Sequence, residues 1–147
     1  MTRALGLDVG DKTVGIALSD PLGITAQGIT TLRRKNLETD LGLLDALCKE
    51  HEVGTLVIGL PLNMDGSEGP RAVLTRRFAD KLHARTSLPV VMWDERLTTA
   101  EVQRILIAGD ASRKKRREVI DTLAAQVILQ GWMDLQSTRE PLDEEND

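Results

Sequence analysis

The sequence has 147 residues, of which 41% are hydrophobic, and its net charge at pH 7 is −4. This length fits one compact domain, and no stretch approaches the ~18 apolar residues of a membrane span. The strand-like pattern starts within the first ten residues, so we expect no signal peptide. The only cysteine, Cys48, excludes an internal disulfide. We therefore expect a cytoplasmic protein with a buried thiol in its core.

The charge is distributed unevenly along the chain. Residues 140–147 carry five acidic and no basic side chains, and without these five negative charges the net charge of −4 becomes +1 for residues 1–139. We interpret residues 139–147 as an acidic, disordered tail and residues 1–138 as the domain. The domain contains an unbroken run of five cations, namely Arg113, Lys114, Lys115, Arg116 and Arg117. Such a run is either a solvated loop or a contact for nucleic-acid phosphates.

Alternating apolar and turn-forming segments predict an α/β fold. Three short apolar segments at hairpin distances open the chain and predict antiparallel strands. The later pattern adds two strands and four helices. The predicted strands are 3–9, 14–19, 24–32, 54–60 and 88–93, and the predicted helices are 37–51, 70–86, about 98–108 and about 118–136, with a basic loop at 109–117. This order predicts a five-stranded mixed sheet, three antiparallel strands followed by βα units, with helices on both faces in a ribonuclease H-like arrangement.

The periodicity of each helix also predicts which residues face the core. Three stripes are expected to be buried. They are Leu37, Leu41, Leu44, Leu47 and Cys48 in the first helix, Val73, Leu74, Phe78 and Leu82 in the second, and Ile120, Leu123, Ala124, Val127 and Ile128 in the last.

Three acidic residues lie where this topology would bring side chains together. Asp8 ends the first strand and Glu95 follows the last one, and the carboxyl ends of parallel strands meet at one edge of a sheet. Asp121 lies near the start of the last helix, where the small residues Ala124 and Ala125 allow close approach to the sheet. Each acid has a simpler explanation, as a turn residue, a local ion pair or a helix-terminal charge. For Asp94 and Glu95 we expect one to cap the backbone while the other faces the site.

Three converging carboxylates would repel one another unless they hold a cation. Hard oxygen ligands favour Mg²⁺ or Mn²⁺ over Zn²⁺, and the two histidines, His51 and His83, are remote from the acids in the sequence. No P-loop or dinucleotide fingerprint is present. Metal ions held by carboxylates promote phosphodiester hydrolysis. Aromatic residues are only 2% of the chain, so contacts to the nucleic-acid backbone are more plausible than base stacking.

Four segments in this order resemble the YqgF/RuvX family of ribonuclease H-like bacterial proteins. They are residues 5–20 (LGLDVGDKTVGIALSD), 57–69 (VIGLPLNMDGSEG), 94–99 (DERLTT) and 121–129 (DTLAAQVIL). The resemblance covers about residues 3–135. It implies a metal-dependent nuclease in which Asp8, Glu95 and Asp121 are the catalytic, metal-binding triad. In place of the arginine that the family commonly has after the lysine, this chain has Thr13, so a phosphate contact is either lost or taken over by Lys12 or another cation.

The leading hypothesis is a nuclease that uses Mg²⁺ or Mn²⁺ on structured or precursor RNA, at the 5′ end of precursor 16S ribosomal RNA. The alternatives are a Holliday junction resolvase acting on branched DNA and a non-catalytic RNA-binding assembly factor. We expect no membrane partner, and a monomer or a homodimer, the latter suiting junction cleavage. The residues expected to contact nucleic acid are Lys12, Asn63, Arg96 and the five cations at 113–117.

Overall fold

A computed structural model describes residues 2–96 and 122–137 of the chain. The strands are β1 (Arg3–Val9), β2 (Thr13–Ser19), β3 (Ala26–Arg33), β4 (Val53–Leu60) and β5 (Val90–Asp94), and the helices are α1 (Leu37–Glu50), α2 (Pro70–Thr86) and a C-terminal helix at 122–137. The predicted helix at 98–108, the basic residues 113–117, Ile120, Asp121 and the acidic tail lie outside the described residues.

The five strands form one sheet in the order β3-β2-β1-β4-β5. The pairs β1–β2 and β2–β3 are antiparallel, whereas β1–β4 and β4–β5 are parallel. The mixed sheet predicted from the sequence is therefore confirmed, including the parallel contact between β1 and β4. As a result, β1, β3, β4 and β5 all end at the same edge, which we call the carboxyl edge.

Local sequence signals fix the turns and the ends of the helices. The side chain of Asn36 accepts a hydrogen bond from the Thr39 backbone N–H (2.9 Å) and so caps α1. Pro70 occupies the first turn of α2, where a missing N–H costs nothing. Between β2 and β3, the carboxylate of Asp20 accepts from the backbone N–H groups of Ile24 (2.7 Å) and Thr25 (3.1 Å). This turn delays β3, which starts at Ala26 rather than at the predicted residue 24.

Helices cover both faces of the sheet, and each face has its own apolar cluster. Alternate strand residues such as Leu5, Leu7 and Ile58 pack against α1 and α2. Their neighbours on the opposite face, including Ala4 and Val57, pack against the C-terminal helix. Within the first cluster Cys48 is 3% exposed, and burial raises the pKa of its thiol to about 11. The prediction of a buried core thiol is therefore confirmed.

Part of the predicted helix burial is wrong. Leu37, Val73 and Leu74 are 41%, 41% and 53% exposed, and Leu123 and Val127 are only half-buried. In α2 the buried stripe is instead Ala72, Thr75, Phe78, Ala79 and Leu82. Thr75 can be buried because its hydroxyl donates to the carbonyl of Arg71 (2.9 Å), so no polar atom loses a partner. The prediction is confirmed for Phe78 and Leu82 but is wrong nearer the start of α2, where the smaller Ala72 and Thr75 are buried in place of Val73 and Leu74.

The C-terminal helix lies unusually close to the sheet because glycines face it. A Cβ atom built on Gly6 of β1 would lie 2.7 Å from the Cβ of Leu129 and 2.9 Å from the carbonyl oxygen of Ala125. One on Gly28 of β3 would overlap the side chain of Thr122. Small residues on the sheet therefore help to set the distance between the two layers, together with the buried Ala124 and Ala125 of the helix.

We predict that Gly6→Val lowers the free energy of unfolding by about 1–3 kcal/mol, since the new side chain must push the C-terminal helix away. Gly42→Ala is the control: a Cβ there meets only an arginine side-chain nitrogen at 3.6 Å, and alanine is the better residue within a helix. The urea midpoints of the two variants should move in opposite directions. Equal midpoints for Gly6→Val and the wild type would show that the two layers are not closely packed there.

Candidate functional site

The carboxyl edge of the sheet brings Asp8 and Glu95 together. Asp8 is the penultimate residue of β1, and Glu95 directly follows β5, where its backbone N–H still donates to the carbonyl of Leu60 (3.1 Å). The two carboxyl groups are joined by a side-chain hydrogen bond. They meet although β4 separates their strands in the sheet.

Gly59 is the residue that lets them meet. In the parallel registers Ile58 pairs with Leu7 and Gly59 pairs with Trp93, so Gly59 lies beside Asp8 on one side and next to the β5 terminus on the other. A Cβ built on Gly59 would lie 3.0 Å from Oε2 of Glu95 and 2.6 Å from Cδ1 of Ile128. Glu95 therefore reaches Asp8 across a position where there is no side chain.

The pKa of Glu95 is raised by its surroundings. Burial, the negative charge of Asp8 and the hydrogen bond between the two raise the pKa of Glu95 to about 7, and the charge of Arg71 offsets only part of this rise. A hydrogen bond between two carboxyl groups requires a proton on one of them. When that proton leaves, two negative charges remain in contact, and this pair can be stabilised by a cation.

Of the two neighbouring acids, Asp94 is the one that caps the backbone. The carboxylate of Asp94 accepts from the backbone N–H of Arg96 (3.0 Å) and from the guanidinium of Arg96 at 2.6–3.1 Å. These bonds hold the pKa of Asp94 below its usual value. Asp94 therefore ends the strand, and Glu95 alone turns towards Asp8.

Other predicted contact residues have structural partners. Asn63 donates to the hydroxyl of Ser67 (3.0 Å) and so organises the loop after β4. The guanidinium of Arg96 is held by Asp94 and lies near the carbonyl of Met64 at 3.4 Å. Lys12 is exposed in the turn between β1 and β2. These contacts and exposures do not test whether Asn63, Arg96 and Lys12 bind nucleic acid, and that role stays a prediction.

Arg71 was missed in the sequence analysis. It lies in the first turn of α2, donates to the carbonyl of Val9 (3.2 Å) and forms an ion pair with Asp11. A second arginine, Arg34, donates to the carbonyl of Gly10 (2.9 Å). Two cations therefore bind the turn that follows Asp8. The signal that could have found Arg71 is its place immediately after the loop at the carboxyl edge.

Asp121 lies outside the described residues, but its neighbour Thr122 is described. Thr122 Oγ1 lies 3.2 Å from Thr31 Oγ1 near the end of β3. Further along the helix, Gln126 and Gln130 bond to backbone groups of Ala26 and Ile24 at the start of β3. The C-terminal helix therefore runs antiparallel to β3, and its first described residue is nearest to the carboxyl edge.

Comparison with known proteins identifies the family. The model of the family described as RuvX, Holliday junction resolvase, matches residues 2–135. The chain belongs to the RuvX family. A Myxococcus xanthus protein named "Putative pre-16S rRNA nuclease" is 58% identical over 132 residues, covering 90% of this chain and 87% of its own. A Symbiobacterium thermophilum protein of the same name is 52% identical over 139 residues, covering 95% and 96%.

Solved structures share the fold of this RuvX protein at low sequence identity. Thermus thermophilus RuvC in complex with a Holliday junction substrate has a TM-score of 0.61 at 10% identity, covering 94% of this chain and 97% of its own. The yeast mitochondrial Holliday junction resolvase Ydc2 has a TM-score of 0.55 at 12% identity, covering 92% and 79%. The predicted ribonuclease H-like fold is therefore confirmed. Among the described residues, no helix is long and apolar enough to cross a membrane.

We predict that, without divalent metal, Glu95 makes the protein less stable as pH rises. The pKa of Glu95 is about 7 in the folded protein, above the ordinary 4.5, so the folded protein holds this proton more tightly than the unfolded chain does. The stabilisation from the bound proton is therefore complete below pH 4.5 and is lost as pH rises through 7. Between pH 5 and 8 in EDTA, the melting temperature of the wild type should fall relative to that of Glu95→Gln.

Asp80→Asn, at an exposed position of α2, is the control and should follow the wild type. Mg²⁺ or Mn²⁺ should restore the melting temperature of the wild type at pH 8 far more than at pH 5. Parallel pH profiles for the wild type and Glu95→Gln would contradict the coupling between Glu95 and Asp8.

Proposed function

We propose that this chain is a metal-dependent nuclease that hydrolyses phosphodiester bonds at the 5′ end of precursor 16S ribosomal RNA, with Asp8, Glu95 and Asp121 as its catalytic residues. The observation that carries the proposal is the hydrogen-bonded pair of Asp8 and Glu95 at the carboxyl edge of a RuvC-like sheet. Membership of the RuvX family and relatives named as pre-16S rRNA nucleases support the reaction class and the substrate.

The donor set fits a hard divalent cation. Asp8 and Glu95 offer carboxylate oxygens, and a bound cation would relieve the repulsion that raises the pKa of Glu95. In the described residues, no group of three or more acidic, histidine or cysteine side chains could hold a metal ion, so the proposal needs a third ligand from elsewhere. Asp121 is that ligand in our proposal, because it directly precedes Thr122 in the sequence, and Thr122 is the described residue of the C-terminal helix nearest to the carboxyl edge.

A divalent ion bound here would supply the positive charge that polarises the phosphoryl group and activates water. The chain's own residues prepare the site for it. Asp8 and Glu95 lose their shared proton before binding, so occupancy rises with pH near 7. Leu60 fixes the backbone of Glu95, and Gly59 leaves room for its side chain. Arg71, whose charge reaches Glu95, is placed to attract the substrate phosphate.

The other predicted features complete the proposal. The cations at 113–117 and Lys12 would contact phosphates along the backbone of the nucleic acid. Arg34 and Arg71, which hold the β1–β2 turn, are the cations best placed to replace the arginine absent at Thr13. We propose Mg²⁺ or Mn²⁺ as the metal and the cytoplasm as the location, and a monomer or homodimer as the assembly.

Holliday junction resolution is the second candidate, because the matching family model carries that description and the RuvC structure shares the fold. It predicts cleavage of a four-way DNA junction in preference to RNA. A dimer would then be expected, because resolution requires cuts in two strands.

We predict that Asp8→Asn, Glu95→Gln and Asp121→Asn each reduce cleavage of precursor 16S RNA by at least about 100-fold, because each removes a charge that holds the metal. Asp80→Asn and Glu50→Gln, at exposed positions, are matched controls that should cleave as the wild type does. Initial rates with Mn²⁺ on precursor RNA, single-stranded RNA and a four-way DNA junction measure this directly.

Preference for the DNA junction would favour the resolvase. Tight RNA binding with no cleavage of any of the three substrates by the purified wild type would instead favour a non-catalytic assembly factor. Wild-type rates in all three acidic variants would show that the catalytic residues lie elsewhere.

A further inference from the structure

A cavity opens beside the carboxyl edge, on the face of the sheet opposite to Asp8. It has a volume of about 310 Å³ and lies between the β1–β2 turn, the start of α1 and residues 71–81 of α2. Its apolar wall is formed by Val9, Leu37, Leu74 and Phe78. Leu37 and Leu74 were expected in the core, yet they are 41% and 53% exposed here. The cavity therefore presents an accessible apolar surface.

The rim of the same cavity is strongly basic. Arg34, Arg71, Arg77 and Lys81 line it, with Asp11 as the single acidic residue. The ion pair with Arg71 already engages Asp11. Arg34 is likewise paired with Asp40, so the excess positive charge of the rim comes from Arg77 and Lys81, and an anion would balance it.

Two of these cations are available to a ligand. Arg77 and Lys81 are exposed on α2, and neither forms an ion pair or a side-chain hydrogen bond with any residue in 2–96 or 122–137. Arg77 and Lys81 are four residues apart and lie on the same face of the helix, where their positive charges repel each other. An anion bound between them would remove this repulsion.

A third cation is fixed in place. The guanidinium of Arg34 contacts Asp40 (3.3 Å), donates to the carbonyl of Gly10 (2.9 Å) and lies 5.2 Å from the ring centroid of Phe78. Asp40 is 1% exposed, so this arrangement is anchored in the core. A planar guanidinium held on an aromatic ring is a surface on which a base can stack.

The cavity and the candidate active site lie on opposite faces of the sheet at the same end of β1. Asp8 and Val9 are neighbours in β1 and point to opposite faces, one towards Glu95 and the other into the cavity. Arg71 bridges the two, since it donates to the carbonyl of Val9 and its charge reaches Glu95. A chain with a phosphate at the carboxyl edge would therefore have its next unit beside this cavity.

We propose that this cavity binds one nucleotide unit of the nucleic-acid chain next to the phosphate that is cleaved. The phosphate of this unit lies between Arg77 and Lys81, and its base and sugar contact Leu37, Leu74 and Arg34. The volume is at the lower end of the ~300–1,000 Å³ range of small-ligand sites, which suits a single nucleotide. This proposal rests on the nuclease function proposed above and adds a substrate subsite to it.

The test uses the full chain in EDTA, so that binding does not depend on metal or cleavage. Adenosine 5′-monophosphate, its 2′-deoxy analogue and inorganic phosphate are titrated separately and followed by amide chemical shifts. Both nucleotides should shift signals of α2 and the β1–β2 turn, and both should bind more tightly than phosphate because of the apolar wall. Tighter binding of the ribonucleotide would identify RNA as the source of the unit, and equal binding would identify a unit common to RNA and DNA.

The double variant Arg77→Gln/Lys81→Gln should weaken nucleotide binding by about tenfold or more, since two charge-assisted hydrogen bonds are lost. Leu74→Asp, at an exposed position, should weaken it by removing apolar contact and adding repulsion. Arg3→Gln/Lys49→Gln is the matched control, because Arg3 lies at the start of β1 and Lys49 at the end of α1, both away from the cavity. Unchanged affinity in the first two variants, or phosphate binding as tight as nucleotide binding, would overturn the proposal.

A cleavage assay separates this proposal from the proposed function. The Arg77→Gln/Lys81→Gln variant should need about tenfold more substrate for half-saturation, while its maximal rate changes much less. If the wild type cleaves RNA and this variant has the same half-saturation, the subsite is wrong and the nuclease function stands. If the wild type binds the nucleotide in the cavity but cleaves no nucleic acid, the nuclease function is wrong and the cavity remains a nucleotide-binding site.

Discussion

The contact between Asp8 and Glu95 depends on the absence of a side chain at Gly59. Both acids belong to strands that end at the same edge, yet β4 lies between them. Any Cβ on Gly59 would crowd both Oε2 of Glu95 and Cδ1 of Ile128. The same small residue therefore allows two carboxyl groups to meet and lets the C-terminal helix pack closely on them. Close packing also removes water from Glu95, and this desolvation is the largest cause of its raised pKa.

At the carboxyl edge, the two faces of the sheet carry opposite charges: acids on one face and arginines on the other. On the face covered by the C-terminal helix, Asp8 and Glu95 are in contact, and in the proposed function a cation binds between them. On the face covered by α1 and α2, Arg34 and Arg71 hold the β1–β2 turn through the carbonyls of Gly10 and Val9. In the proposed function a polyanionic substrate would use both features, because a metal ion would act on the reacting phosphate while fixed cations hold its neighbours. The β1–β2 turn connects the two faces, and so a few residues position both.

The sequence was sufficient for the sheet and for the placement of Asp8 and Glu95 at one edge, and insufficient for the contacts between layers. Strand order and direction follow from the length and polarity of each segment, which is why Asp8 and Glu95 could be placed at one edge. In α2 the predicted burial is confirmed for Phe78 and Leu82 and wrong for Val73 and Leu74, because Thr75 is buried with its hydroxyl satisfied within the helix, which no hydrophobic pattern indicates. Gly59 and Arg71 were missed because their roles depend on the register between strands and on the direction of a helix. Those are properties of the packed chain, not of any local segment.

The central claim is that Asp8 and Glu95 together form a divalent-metal site. The most direct measurement is paramagnetic broadening of the amide signals by substoichiometric Mn²⁺ at pH 8, above the pKa of Glu95. We predict that broadening centres on the signals of Asp8 and Glu95, and that it disappears from this region in Glu95→Gln. Broadening confined to the acidic residues 140–147, or identical broadening in Glu95→Gln, would contradict the claim.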